Sequence, residues 1–213
     1  MDLVLLGPPG SGKGTQAKVL AETFAIPHIS TGDIFRKHLS RGTDLGQLAK
    51  RYMDEGTLVP DDVTEQMVSA RLAESDAKAG FILDGFPRNL SQAEHFEAAL
   101  GKMGRHLRAV IYLSVKREVL MARLTGRRVC PKCGATYNVV SQPPKRDGIC
   151  DVCGSALVQR PDDSESTVAR RLSVYEQETA PLVAFYDQRG LVRRFDGEEP
   201  VEVVTRHIVG QLT

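Results

Sequence analysis

Lys13 closes a run of small residues, Gly7-Pro8-Pro9-Gly10-Ser11-Gly12, and is followed by Gly14 and Thr15. Glycines this dense let backbone N–H groups converge on phosphate oxygens. The helix expected to follow presents the positive end of its dipole, and the lysine adds a mobile cation. Residues Gly10, Ser11, Gly12, Lys13, Gly14 and Thr15 are thus read as a polyphosphate cradle. The strict form of this loop has Ser or Thr directly after the lysine, and Gly14 removes that hydroxyl. Asp84, ending the apolar stretch Phe81-Ile82-Leu83, supplies a carboxylate at the C-terminal edge of a sheet, where open α/β folds bind ligands. It can hold Mg²⁺ through water, with Asp33 a second candidate for the same water network.

The second chemical signal is Cys130-Pro131-Lys132-Cys133 and Cys150-Asp151-Val152-Cys153, with sixteen residues between the pairs. Each pair puts two thiolates on one tight turn, followed by Gly134 or Gly154, and two facing turns make the tetrahedral sulfur site that Zn²⁺ favours. All four positions are filled, so the expected zinc is structural and replaces an apolar core that so short an insertion cannot build. Disulfides are the alternative, which a reducing cytosol disfavours, and iron can occupy the same ligands.

Apolar runs at Leu3 to Leu6, Phe81 to Leu83, Ala109 to Leu113 and Leu191 to Phe195 alternate with longer helix-like segments. This is the rhythm of a doubly wound α/β core with a mostly parallel sheet. Two stretches break it: a polar helical one at about 30–59 and a Cys, Pro and Gly-rich one at about 126–163. The expected division is a core of 1–29, 60–125 and 164–213 carrying two inserted modules. Pro181 should kink a late helix, and Pro200 to Leu212 reads as a final amphipathic helix covering the core.

A chain of 213 residues, 41% hydrophobic, can bury one sizeable core. With 28 basic against 27 acidic residues, the net charge of +1 gives no general surface for polyanions, so phosphate attraction should be local. No basic leader precedes an apolar signal segment and no apolar run is long enough to cross a bilayer. The expectation is a cytoplasmic enzyme with neither membrane nor nucleic acid as partner.

Further segments join these: Ser30-Thr31-Gly32-Asp33 with Arg36, Asp84-Gly85-Phe86-Pro87-Arg88 with Gln92, Gly126-Arg127-Arg128, Arg160-Pro161-Asp162-Asp163 and Arg170-Arg171-Leu172. In this order, and across essentially the whole chain, they resemble the adenylate kinases, in the long-lid form whose lid carries a zinc-binding cysteine quartet. The resemblance implies an α/β P-loop nucleoside monophosphate kinase fold, a parallel sheet flanked by helices with two inserted mobile modules. Residues 30–59 would bind AMP and 126–163 would be the zinc-binding lid. The implied reaction is reversible transfer of the terminal phosphoryl group of MgATP to AMP, giving two ADP.

Phosphoryl transfer mainly requires positioning and charge neutralisation, for which arginine forks and one lysine are suited. Under the resemblance, Lys13 contacts the donor phosphates while Arg88, Arg127, Arg160 and Arg171 surround the transferred group. Arg123, Arg127, Tyr137 and Glu199 join the cradle around ATP, although relatives often carry Lys or Gln where Glu199 stands. Arg123 and Arg127, four apart, are expected on one helix end facing the same cleft. Around AMP stand Thr31, Gly32, Arg36, Met53, Thr57, Leu58, Val59, Gly85, Phe86, Arg88, Gln92, Arg160 and Arg171. Gln92 can offer the adenine edge both a donor and an acceptor. Thr31 could alternatively be a helix N-cap and Met53 plain core. Asp162 and Asp163 favour a helix start near the lid hinge. Arg105, Arg108, Arg193 and Arg194 are read as ordinary surface charges.

All proposed site residues lie in one chain, so a monomer suffices. The enzymatic rival is a kinase of another monophosphate or a GTP-using relative. The rival from another class is a zinc-ribbon nucleic-acid binder using Arg127, Arg128, Lys132, Lys145 and Arg146, against which stands the single aromatic of that segment, Tyr137.

Overall fold

The computed structural model describes residues 1–213. The chain begins with β1 (Asp2–Leu6), α1 (Lys13–Phe24), β2 (His28–Ser30), α2 (Thr31–Ser40), α3 (Asp44–Glu55), α4 (Asp61–Leu72), β3 (Phe81–Asp84) and α5 (Leu90–Lys102). It continues through β4 (Ala109–Ser114), α6 (Arg117–Thr125), β5 (Arg127–Val129), β6 (Thr136–Asn138), α7 (Glu165–Val174), α8 (Pro181–Asp187), β7 (Val192–Asp196) and α9 (Val201–Leu212). Five strands form a parallel sheet in the order β2-β3-β1-β4-β7, and β5 and β6 form a separate antiparallel ribbon.

The unbroken apolar runs are explained by burial on both faces, as parallel sheets require. Val4, Leu6, Phe81, Leu83 and Val110 face a cluster containing Phe86, Phe96, Leu100, Leu182 and Tyr186. Leu3, Leu5, Ile82, Ile111 and Leu113 face the opposite way, onto Ala17 and Leu20 of α1 and Val204, Ile208 and Leu212 of α9. The final helix covers the core as its pattern predicts. Register sets the site: Leu5 of β1 lies beside both Asp84 of β3 and Ile111 of β4, and Ser30 of β2 lies beside Asp84. The glycine loop after β1, the carboxylate ending β3 and the start of α2 therefore meet at one edge.

Three features differ from the sequence reading. Strand β2 has only three residues, of which Ile29 alone is a buried apolar side chain, too little for a periodic signal. The interruption expected at Pro181 takes the form of a π-helical turn, Tyr175–Thr179, after which Pro181 opens α8 at a position where its missing N–H costs nothing. Arg105 is no ordinary surface charge. Its guanidinium grips buried Asp2 through two hydrogen bonds of 2.8 and 2.5 Å and lies 4.8 Å from the centre of the Phe81 ring.

Candidate active site

A cleft of about 990 Å³ opens along the C-terminal edge of the sheet, between the glycine loop, the α2–α3 hairpin and the β5–β6 ribbon. Gly12, in the left-handed region at φ 96°, leads into α1. Lys13 curls back over its own loop, its Nζ donating to the carbonyls of Gly7 at 2.7 Å and Pro8 at 2.9 Å. Enclosure of the ammonium pushes its pKa down to about 8; Arg88, Arg171 and Arg127 push the same way, and Asp84 opposes them. A Cβ on Gly14 would come within 3.7 Å of Asp84 Oδ2, so this carboxylate faces the position where the strict loop carries its hydroxyl. Burial raises the Asp84 pKa, but His28, Lys13 and Arg88 outweigh it and hold the group below its ordinary value. His28 Nε2 stands 3.5 Å from Asp84 Oδ2. Sequence reasoning missed this histidine, which sits in the strand too short to be recognised.

Arginines reach the cleft from separate segments. Arg88, in the loop between β3 and α5, has no carboxylate partner. Its Nε donates to Gly85 O at 2.7 Å, its backbone N–H to Gln92 Oε1 at 2.8 Å, and its carbonyl accepts from Thr179 Oγ1 at 2.7 Å. The side chain is thereby aimed while its charge is left without a direct ion pair; burial first, and then Arg171, lower its pKa to about 10 against the opposing pull of Asp84. Arg160 is likewise pushed down to about 10 by burial, Arg36 and Arg127. Desolvated cations that repel one another are poised for a polyanion.

Three further arginines hold carboxylates. Arg127 grips Asp163 through two hydrogen bonds of 2.8 and 2.5 Å, and Arg171 Nη1 lies 3.0 Å from Asp162 Oδ2 and from Asp163 Oδ1. Arg36 pairs with Asp33 at 2.6 Å. Two expectations are corrected here. Helix α6 ends at Thr125, so Arg127 opens strand β5 rather than sharing a helix face with Arg123, although both line the cleft. Asp162 and Asp163 lie in a 3₁₀ turn, where the fully buried Asp163 neutralises two arginines; α7 is capped instead by Ser164, which accepts from Thr167 N–H.

Opposite the loop, Thr31, Gly32, Arg36, Met53, Thr57, Leu58, Val59, Gly85 and Gln92 line one end of the cleft. Thr31 is not the helix cap, a part played by Ser30; its hydroxyl donates to Gly85 O at 2.9 Å. Met53 packs beside Phe35, Ala49 and Val59 while lining the cleft, so its two readings coexist. Phe86 is the sequence-predicted residue that the fold turns away. Its ring packs edge-on against Phe96 at 5.5 Å in the core, because Gly85 reverses the chain at φ 83° between the two sides. At the other end, Arg123 Nη1 donates to Gly197 O at 2.8 Å and Glu199 lies 3.5 Å from His207. Tyr137 lines the cleft, but its hydroxyl accepts from Asp151 N–H at 2.9 Å and sits 3.6 Å from Cys150 Sγ. That polar end serves the ribbon itself.

The four cysteines converge, with one sulfur from each within 4.8 Å of the others. The two turns repeat one hydrogen-bond pattern: Gly134 N–H to Cys130 O at 3.0 Å, and Gly154 N–H to Cys150 O at 2.9 Å. Both glycines take positive φ, 72° and 71°, which a side chain would strain. The Cys130–Cys153 and Cys133–Cys150 sulfur separations, 3.4 and 3.5 Å, exceed a disulfide bond and are near the edge of a tetrahedron with zinc–sulfur bonds of about 2.3 Å. The donor set fits zinc.

The family model described as adenylate kinase matches residues 5–191. Among curated relatives, the adenylate kinase of Symbiobacterium thermophilum is 55% identical over 208 residues, covering 98% of this chain and 96% of that protein. That of Caldanaerobacter subterraneus subsp. tengcongensis is 54% identical over 208 residues, covering 98% and 94%. That of Clostridioides difficile is 50% identical over 212 residues, covering 100% and 98%.

Proposed function

The chain belongs to the adenylate kinase family and transfers the terminal phosphoryl group of ATP, used with Mg²⁺, reversibly to AMP, giving two ADP; from that premise we propose how its residues divide the work. Gly10 to Thr15 cradle the donor phosphates, Lys13 placing its ammonium against them. Arg88, Arg127, Arg160 and Arg171 neutralise charge on the moving phosphoryl group and hold it between the two nucleotides. Arg123, the Gly197–Glu199 loop and the ring of Tyr137 border the donor base. Thr31, Arg36, the Thr57–Val59 backbone and Gln92 hold AMP.

The observation that carries this division is Arg88. It is a desolvated guanidinium with no directly paired carboxylate, pinned through its Nε and both backbone polar groups beside the phosphate loop. Asp162 and Asp163 neutralise Arg171 and Arg127 until phosphates compete for those arginines. Asp84 holds Mg²⁺ through water, where the ion offsets phosphate charge. Cys130, Cys133, Cys150 and Cys153 bind a structural Zn²⁺ away from the chemistry.

In this reading residues 30–59 are the AMP module, 126–163 the lid and the remainder the core. Closure of both modules over the substrates excludes water, which would otherwise compete as acceptor. The enzyme acts as a cytoplasmic monomer, a reading supported by the assembly of the whole cleft from one chain. No helix is long and apolar enough to cross a membrane.

The test is to incubate the protein with MgATP and, separately, AMP, CMP, UMP or GMP, resolving products by chromatography. Two ADP formed per AMP consumed, and no diphosphate from the other acceptors, is the expected result. Transfer to another monophosphate overturns the acceptor assignment, and ADP with free phosphate regardless of acceptor overturns the division of roles as a whole.

A further inference from the structure

Asp61, the first residue of α4, takes no part in the roles above, yet three hydrogen bonds end on its carboxylate. Asn89 Nδ2 lies 3.0 Å from each oxygen, and Gln92 Nε2 donates to Oδ1 at 2.6 Å. A carboxylate only accepts, so the NH₂ end of the Gln92 amide must face Asp61. On the other side the Arg88 N–H only donates, and it meets Gln92 Oε1 at 2.8 Å. Two partners of fixed polarity therefore settle which end of the amide is which. Gln92 is 1% exposed and lines the cleft, and after these bonds it keeps one N–H and one oxygen lone pair, in a fixed order.

That order is information. A 6-aminopurine offers an N6–H donor beside the N1 acceptor; a 6-oxopurine offers an O6 acceptor beside an N1–H donor. The two edges require opposite orientations of the same amide. A locked amide reads one of them, and an amide free to turn reads both.

We propose that Asp61 is a specificity-determining positioning residue, which locks the Gln92 amide so that the acceptor pocket selects a 6-aminopurine monophosphate over a 6-oxopurine one. This rests on the reading of Gln92 as the partner of the acceptor base. Helix α4 thus contributes to base choice through α5, with no contact of its own to the nucleotide.

The test compares kcat/KM for AMP and IMP, at saturating MgATP, in the parent protein, Asp61→Asn and Gln92→Ala. In Asp61→Asn an NH₂ replaces one acceptor oxygen, so the carboxylate that Asn89 and Gln92 share is lost and the Arg88 N–H is left as the one partner of fixed polarity orienting the glutamine amide. The expected result is a fall of about fivefold to tenfold in the AMP-over-IMP ratio, the size of one well-placed hydrogen bond. KM for AMP rises while KM for ATP stays within twofold, a split that general loosening of the fold would not produce. Asp61→Ala, which removes the acceptor altogether, gives the same loss. If Gln92→Ala lowers the ratio while both Asp61 variants keep it, the role of Asp61 is overturned and that of Gln92 stands. If Gln92→Ala leaves the ratio unchanged, the reading of Gln92 as base partner fails and the inference fails with it.

Discussion

The five-stranded sheet and the β5–β6 ribbon are kept in order by different forces. Both faces of the sheet are sealed, by buried clusters of 17 and 13 apolar residues, and each large side chain there contributes about 1.5–3 kcal/mol. The ribbon buries only Cys130, Tyr137 and Cys150, far too little to offset the entropy of ordering its chain. Its order comes from four converging thiols and two matched backbone turns. The phosphate loop and Arg88 thus adjoin a scaffold sealed by apolar burial, while Arg127 stands on one with little buried apolar surface beyond its thiol cluster. The two regions meet at Asp163, which is fully buried and held by Arg127 and Arg171.

The contrast can be broken most sharply at Arg88. Arg88→Lys keeps the charge but loses the fork, and kcat should fall about 10²–10³-fold, roughly 3–4 kcal/mol, with the melting temperature almost unmoved. Steady-state assay beside calorimetry reads both, and a kcat within threefold of the parent would remove Arg88 from the chemistry. Within the sheet, Ile111→Ala should cost about 3 kcal/mol in urea unfolding without altering metal content, because a fully buried side chain leaves a cavity.

The ribbon should respond in the opposite sense. Replacing Cys130 and Cys133 together by Ser should abolish zinc binding and cost about 2 kcal/mol, seen as a lower melting temperature, while the sheet keeps its own cooperative transition. Unchanged melting with one zinc still bound would refute the structural role.

The smallest effect is electrostatic. With its pKa lowered to about 8, Lys13 loses its proton above that pH, whereas a bound polyphosphate restores it. ATP affinity should weaken as pH rises through 8, by at most about 1.4 kcal/mol per unit, with proton uptake measurable by calorimetry in buffers of different ionisation enthalpy. An unfolded lysine keeps its proton to about 10.4, so between the two values Lys13 also makes the folded chain more stable as pH rises. Affinity independent of pH from 7 to 9 would mean that the ammonium does not bear on the phosphates.

Much of this was legible in short windows of sequence. Leu3 to Leu6 and Ala109 to Leu113 announce strands because both faces of the sheet are buried. The Gly7-to-Lys13 spacing announces a phosphate loop because few other residues permit such a backbone. The paired cysteines, each pair followed by glycine, announce two tight turns that bring four thiols together, for the same reason. Strand β2 escaped because one buried isoleucine makes no pattern. Arg127 was misplaced because spacing says nothing about where a helix stops, and Phe86 was counted into the site because the turn at Gly85 that sends it into the core has no local signature.

Residue types at close spacing therefore determined the fold class, the phosphate loop, the thiol quartet and the roster of arginines, since each follows from backbone geometry and from the chemistry of neighbours in the chain. Which arginines stand free and which are paired emerged only from long-range packing. So did the direction in which the Gln92 amide points and the depth of Lys13. Asp163 lies 36 residues from Arg127, and Asp61 lies 31 from Gln92. Nothing along the chain marks such pairs, because an ion pair or an amide orientation depends on distances that exist only after the sheet and its helices have closed.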